Sequence, residues 1–86
     1  MILYFENGYG AVRELAKVNT MAEANGCIKD FLDAYNYTSY YSRMWVKNGY
    51  VVIDVGSHTE FFKIFCETDE AAKAFIKTLE VRDGIR

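Results

Sequence analysis

The sequence predicts an α+β fold in which two helices pack on one face of an antiparallel sheet, in the order β-β-α-β-β-β-α. Three observations predict it. Asn-Gly pairs, the strongest short hairpin signal, occur twice, and a helix-capping motif precedes an amphipathic segment. The strand-like segments also follow one another in groups along the chain and do not alternate one by one with helices. Such groups are typical of an α+β fold rather than of a parallel α/β sheet.

The first hairpin is predicted around Asn7-Gly8. Residues 2–6 are expected to form its first strand and residues 11–18 its second. The segment 11–18 also fits a helical stripe, so its assignment is open from its own pattern. The preceding Asn-Gly pair favours a strand, because this dipeptide adopts the positive φ angles of tight hairpin turns.

The first helix is predicted to begin after Thr20, because Thr20 and Glu23 have the spacing of a capping box. It should run to about Tyr35. Its apolar residues recur at the spacing of one helix face. They are Ala24, Ile28, Phe31, Leu32 and Tyr35.

The second half of the chain is predicted to contain a polar loop, three strands and a helix. The loop covers residues 36–39, and the strands cover 40–47, 50–56 and 60–66. The last helix should begin near Thr68 or Asp69 and end at Asp83-Gly84. Its predicted buried stripe consists of Ala72, Phe75, Ile76 and Leu79.

The second hairpin can be registered from its turn. If Asn48-Gly49 is a two-residue loop, Lys47 lies opposite Tyr50, and alternation then assigns the side chains of both strands to a face. If Ser57-His58 is the next turn, alternation assigns the side chains of the third strand as well. One face is wholly apolar and should carry both helices. It contains Met44, Val46, Val51, Ile53, Val55, Phe62 and Ile64. The other, which we call the mixed face, contains Tyr41, Arg43, Trp45, Tyr50, Val52, Asp54, Phe61, Lys63 and Phe65.

The mixed face has three interpretations. The first hairpin, or a loop, covers it as a second core layer. Alternatively, it contacts a protein partner or a second copy of the chain, since Tyr, Trp and Arg are typical interface anchors. In the third interpretation, nucleic-acid bases stack on it.

Four tyrosines lie between residues 35 and 41. They either pack at the edge of the core or extend the mixed face.

Composition limits the function. The 86 residues suit a single domain, 1–86, and their 51% hydrophobic content supports a core. The net charge of −2 lacks the positive excess of a dedicated nucleic-acid binder. The start of the chain does not resemble a signal peptide, and no apolar run approaches a membrane span. We therefore expect a cytoplasmic protein that does not associate with a membrane.

Few residues suggest chemistry. His58, the only histidine, lies in a predicted exposed turn between Ser57 and Glu60, and such close neighbours rarely point at one another. Cys27 and Cys66 lack the close spacing of zinc ligands. We expect two reduced thiols, with Cys66 a buried apolar residue and Cys27 half exposed. No catalytic residue, metal or cofactor is predicted.

The segment Tyr50 to Phe62, Y-V-V-I-D-V-G-S-H-T-E-F-F, and the composition rich in Tyr, Asn and Lys resemble small accessory proteins of phages and mobile elements in Gram-positive bacteria. Anti-CRISPR proteins are among these. The resemblance implies a compact inhibitor of a host defence protein, without catalytic residues, acting in the host cytoplasm.

The prediction is therefore a non-enzymatic protein-binding module, with an anti-CRISPR-like phage inhibitor as one form of it. The alternatives are a nucleic-acid-binding accessory domain that uses the same face, or a structural homodimer. The predicted partner-binding residues are Tyr41, Arg43, Trp45, Tyr50, Phe61, Lys63 and Phe65.

Overall fold

A computed structural model describes residues 1–35, 43–56 and 59–84, with side chains up to residue 79. Its five strands form one antiparallel sheet in the order β2-β1-β5-β4-β3. This confirms the predicted fold class and element order. The elements are β1 (Ile2–Glu6), β2 (Val12–Lys17), α1 (Met21–Ala34), β3 (Arg43–Lys47), β4 (Tyr50–Asp54), β5 (Phe61–Phe65) and α2 (Asp69–Gly84).

The second hairpin has the predicted register. Asn48 and Gly49 have φ angles of 52° and 80°, as a two-residue turn of the I′ kind requires. Lys47 therefore lies opposite Tyr50, and Arg43 lies opposite Asp54. β4 is shorter than predicted, since it ends at Asp54 and not at residue 56. Residues 40–42, included in the predicted third strand, and the predicted turn at 57–58 lie outside the described residues.

The first hairpin forms where it was predicted, but its turn is longer than that of the second. Residues 7–11 connect β1 to β2. The Asn7 side-chain oxygen accepts hydrogen bonds from the backbone N–H groups of Tyr9 and Ala11, at 2.9 and 3.0 Å. Positive φ occurs at Gly10 (84°) and not at Asn7 or Gly8. The Asn7 side chain thus organises a wider turn by bonding to the backbone that follows it.

A β-bulge changes the alternation of β2. The register with β1 shifts between Leu3, which pairs with Ala16, and Tyr4, which pairs with Glu14. Leu15 is the extra residue. Both Leu15 and Ala16 pack against the core, because a bulge turns successive side chains toward one face.

The first helix begins as predicted. Thr20 Oγ1 accepts the Glu23 N–H at 3.2 Å, and Glu23 Oε1 accepts the Thr20 N–H at 3.2 Å, which completes the capping box. Met21, outside the predicted stripe, is fully buried. Tyr35, predicted within the stripe, is 52% exposed, because it is the C-cap residue beyond the last turn of α1.

The core lies between the helices and the apolar face of the sheet. In α1, Phe31 packs on Phe5 and Phe62, with ring centroids 4.7 and 5.5 Å apart. The helices meet where the Met21 N–H donates to Thr78 Oγ1 at 2.9 Å. The largest fully buried side chains are Phe62, Leu3, Met21, Ile53, Ile64, Val18 and Val51.

The tip of the second hairpin packs against the turn between β5 and α2. The Gly49 N–H donates to Asp69 Oδ1 at 2.7 Å, and the Gly49 carbonyl accepts the Cys66 N–H at 2.8 Å. The Thr68 N–H donates to the Cys66 carbonyl at 2.9 Å, while Glu67 has a φ of 74°. This is a γ-turn of the rare positive-φ kind, which is strained for a residue with a side chain.

Replacing Gly49 with alanine should therefore destabilise the fold. A Cβ at Gly49 would overlap the backbone carbonyl of Glu67, and the φ of 80° already disfavours a side chain. We expect a loss of about 3 kcal/mol in the free energy of unfolding. Urea denaturation followed by circular dichroism measures it.

Gly26→Ala is the matched control for that substitution. Gly26 lies within α1, and a Cβ there meets nothing within 4 Å. Alanine should raise the free energy of unfolding by about 1 kcal/mol, because glycine is the poorer helix former. Equal changes in the free energy of unfolding would contradict the proposed close contact between Gly49 and the Glu67 carbonyl.

Candidate functional site

The mixed face is not covered by the first hairpin. β1 pairs edge to edge with β5, placing Tyr4 opposite Lys63 and Glu6 opposite Phe61. The interpretation in which this hairpin forms a second core layer is therefore wrong. Its strands extend the sheet sideways, because β5 offered a free edge on the side away from β4. The hairpin thereby enlarges the mixed face instead of hiding it.

The strand registers order the mixed face into three rows that cross all five strands. The lysine row contains Lys17, Ile2, Phe65, Tyr50 and Lys47. The central row contains Glu14, Tyr4, Lys63, Val52 and Trp45. The ion-pair row contains Val12, Glu6, Phe61, Asp54 and Arg43, with Phe61 and Asp54 one step beyond the Phe62–Ile53 pair.

Six of the seven predicted partner-binding residues lie together on this face. They are Arg43, Trp45, Tyr50, Phe61, Lys63 and Phe65. The seventh, Tyr41, lies outside the described residues. Sequence reasoning missed everything that the first hairpin contributes. It also missed Lys47, although the same alternation that placed Trp45 and Arg43 on this face includes Lys47.

The aromatic side chains form two contacts with part of their surface exposed. Trp45 meets Phe61 edge to face, with ring centroids 6.3 Å apart and an interplanar angle of 82°. Tyr50 lies 5.0 Å from Phe65. Trp45 is 37% exposed and Phe65 42%. Each ring is therefore held by a neighbour, so a partner would meet rings that have already lost part of their rotational freedom.

One ion pair anchors the corner of the face at Arg43. The Arg43 guanidinium lies 2.9 Å from Asp54, whose side chain is only 4% exposed, whereas that of Arg43 is 64% exposed. The Gly56 N–H also donates to Asp54 at 2.9 Å. The guanidinium sits 5.7 Å from the centre of the Trp45 ring. Asp54 thus fixes a cation beside the exposed tryptophan.

A second ion pair lies at the middle of the face. Lys63 Nζ is 3.1 Å from Glu6 Oε1, and each side chain is about 30% exposed. The same ammonium lies 6.0 Å from the centre of the Tyr50 ring. Since β1 and β5 are joined here, the pair also links the first hairpin to the rest of the sheet.

Shallow hollows surround Lys63. Three of them, of about 250, 250 and 170 Å³, each include this lysine in their lining. Val52 forms the floor of two of them and is 5% exposed. A fourth hollow of about 290 Å³ lies beside Ile2 and Phe65 of the lysine row. It is lined by Met1, Ile2, Tyr4, Phe65, Cys66 and Glu67.

The cysteines have the predicted environments. Cys66 is buried, Cys27 is half-buried, and both thiols are free. Burial raises the pKa of the Cys66 thiol, which keeps it protonated at neutral pH and unsuited to nucleophilic attack. Ser57 and His58 lie outside the described residues.

The described ranges contain neither a metal-binding cluster nor a membrane-spanning helix. No group of three or more His, Cys, Asp or Glu side chains there is placed to hold a metal ion. Neither helix in that part of the chain has the length and hydrophobicity needed to cross a lipid bilayer.

Fluorescence quenching should show that the mixed face is open. Trp45 is the only tryptophan, so all tryptophan emission reports this face. We expect acrylamide to quench the folded protein readily. The ratio of iodide to acrylamide quenching should be high, because the Arg43 guanidinium beside the ring attracts anions.

An Arg43→Gln variant should lower the ratio of iodide to acrylamide quenching. Lys29→Gln, on the exposed side of α1, makes the same charge change away from the face and should preserve it. Quenching as weak as that of a fully buried indole would show that Trp45 is covered.

No family model, curated protein or solved structure matches this chain.

Proposed function

We propose that this chain is a non-enzymatic protein-binding module that recognises its partner through the mixed face. One observation carries the proposal: helices cover one face of the sheet, and the opposite face is rich in partly exposed aromatic rings. Trp, Tyr and Arg are the residues that most often dominate binding energy at protein interfaces. Here Trp45, Tyr50 and Arg43 lie on one side of one hairpin.

The charges of the mixed face favour a protein over a nucleic acid. Four basic side chains share it with the acidic side chains of Glu6, Glu14 and Asp54. A phosphate backbone would meet repulsion from those carboxylates, whereas a protein can place a charge of either sign opposite each one.

The size of the face suits a protein partner that also contacts its surroundings. Five strands and three rows span roughly 400 Å² in projection, given the usual strand spacing and rise. A stable protein–protein interface of standard size buries about 800 Å² of accessible surface on each side, whether the partner is a second copy or another protein. The resemblance to phage accessory proteins makes a host defence protein the first class of partner to test.

Partner capture tests the proposal. Tagged wild type and a Trp45→Ala/Phe61→Ala variant are incubated with lysate of the source organism or its host, and bound proteins are identified by mass spectrometry. We expect recovery of the partner to fall at least tenfold in the variant, because truncating two central aromatic anchors costs several kcal/mol of binding.

A Lys29→Ala/Lys73→Ala variant is the matched control, since both residues are exposed on the helices. It should recover the partner as wild type does. Circular dichroism confirms that each variant is folded. Equal recovery by wild type and the aromatic variant would remove the mixed face as the binding site.

Two further measurements separate the alternatives. Sedimentation should give a monomer at micromolar concentration; a dimer that Trp45→Ala/Phe61→Ala dissociates would favour the structural homodimer. Single-stranded RNA and DNA should not bind at low salt. Binding that weakens steeply with added salt would favour the nucleic-acid-binding domain.

A further inference from the structure

The lysine row differs from the rest of the mixed face in its charges. Its end residues, Lys17 and Lys47, are both exposed, and neither forms an ion pair with any residue that the structure describes. The other two basic residues of the face, Arg43 and Lys63, are each paired with a carboxylate. The row therefore offers two ammonium groups to an external ligand.

The strand order fixes the distance between these lysines. Lys17 lies on β2 and Lys47 on β3, the two outermost strands. Four strand spacings separate their backbones, which is about 19 Å. Ile2, Phe65 and Tyr50 lie between them, so each end of an apolar strip carries a positive charge.

The hollow of about 290 Å³ opens beside the same strip. Ile2 and Phe65 belong to both the hollow and the row. A cavity of about 150 Å³ is enough to take a benzene ring, so this hollow has room for one aromatic side chain of a partner. Glu67 lines the hollow as well and places a negative charge at one side of the strip.

From these observations we infer that the lysine row binds an extended, acidic segment of a partner protein. The segment crosses the strands, seats an apolar side chain in the hollow and directs one carboxylate to each end lysine. An extended chain covers about 20 Å in six residues, so carboxylates at positions i and i+6 match the two lysines. The inference rests on the proposed function and specifies the chemistry of its partner.

A continuous polyanion matches the row less well than such a segment does. Glu67 lies at the hollow, so negative charge is disfavoured between the ends of the row. A peptide can place its charges only at those ends, whereas the phosphates of a nucleic acid recur at every nucleotide.

A designed peptide is the probe for this site. Capped Glu-Ser-Leu-Phe-Leu-Ser-Glu is titrated into the ¹⁵N-labelled full chain, and amide chemical shifts are followed. We expect saturable shifts centred on Ile2, Lys17, Lys47 and Phe65. Each of Lys17→Gln and Lys47→Gln should weaken binding about threefold, and the double variant about tenfold.

Matched controls test whether binding depends on the charge of the lysines and on their position in the row. Lys29→Gln/Lys73→Gln removes two exposed lysines from the helices and should leave the affinity unchanged. Glu67→Gln should strengthen binding, since it removes the negative charge at the hollow. A peptide with lysine in place of both glutamates should bind at least tenfold more weakly than the acidic one.

Several results would overturn the inference. They are the absence of saturable shifts at millimolar peptide, equal affinity of wild type and Lys17→Gln/Lys47→Gln, and tighter binding of single-stranded oligothymidylate than of the acidic peptide. Shifts centred on Trp45 and Phe61 would also overturn it, because binding would then use the other rows. If partner capture still depends on Trp45 and Phe61, the proposed function survives any of these results.

Discussion

The close approach of Gly49 to the turn before α2 is the constraint on which both faces of the sheet depend. The Gly49 N–H is held by Asp69, and no side chain at this position would leave room for the Glu67 carbonyl. This contact fixes the second hairpin against the start of α2. The helix then covers the apolar side of β3 and β4, which leaves Trp45 and Tyr50 on the opposite side. One backbone contact thus helps to decide which face is core and which is surface.

The charged and aromatic side chains of the mixed face are held in position although most of them remain partly exposed. Asp54 is its most deeply buried charged residue and holds Arg43 beside Trp45. Lys63 is held between Glu6 and the Tyr50 ring. Ion pairs at exposed positions contribute little to stability. Their larger effect here is to limit the positions of long side chains, which lowers the entropy lost when a partner binds.

Local patterns predicted the second hairpin and both helices, because turn and cap chemistry depends on neighbouring residues. Asn48-Gly49 set the register, and Thr20 with Glu23 marked the helix start. The pairing of β1 with β5 was not predictable in this way, since it joins segments nearly sixty residues apart. The bulge at Leu15 was also missed: simple alternation would place Lys17 and Glu14 on opposite faces, but the bulge brings them onto the same one.

The pairing of β1 with β5 also has a consequence for biosynthesis. The first hairpin is made well before β5, the strand beside which it belongs. Until β5 emerges, Leu3 and Phe5 lack the sheet neighbours Ile64 and Phe62. The nascent chain must therefore carry an incompletely paired apolar hairpin until β5 has been made. Pairings that join distant segments also slow folding. The window for misassembly is accordingly set by how fast the ribosome synthesises the segment between β2 and β5.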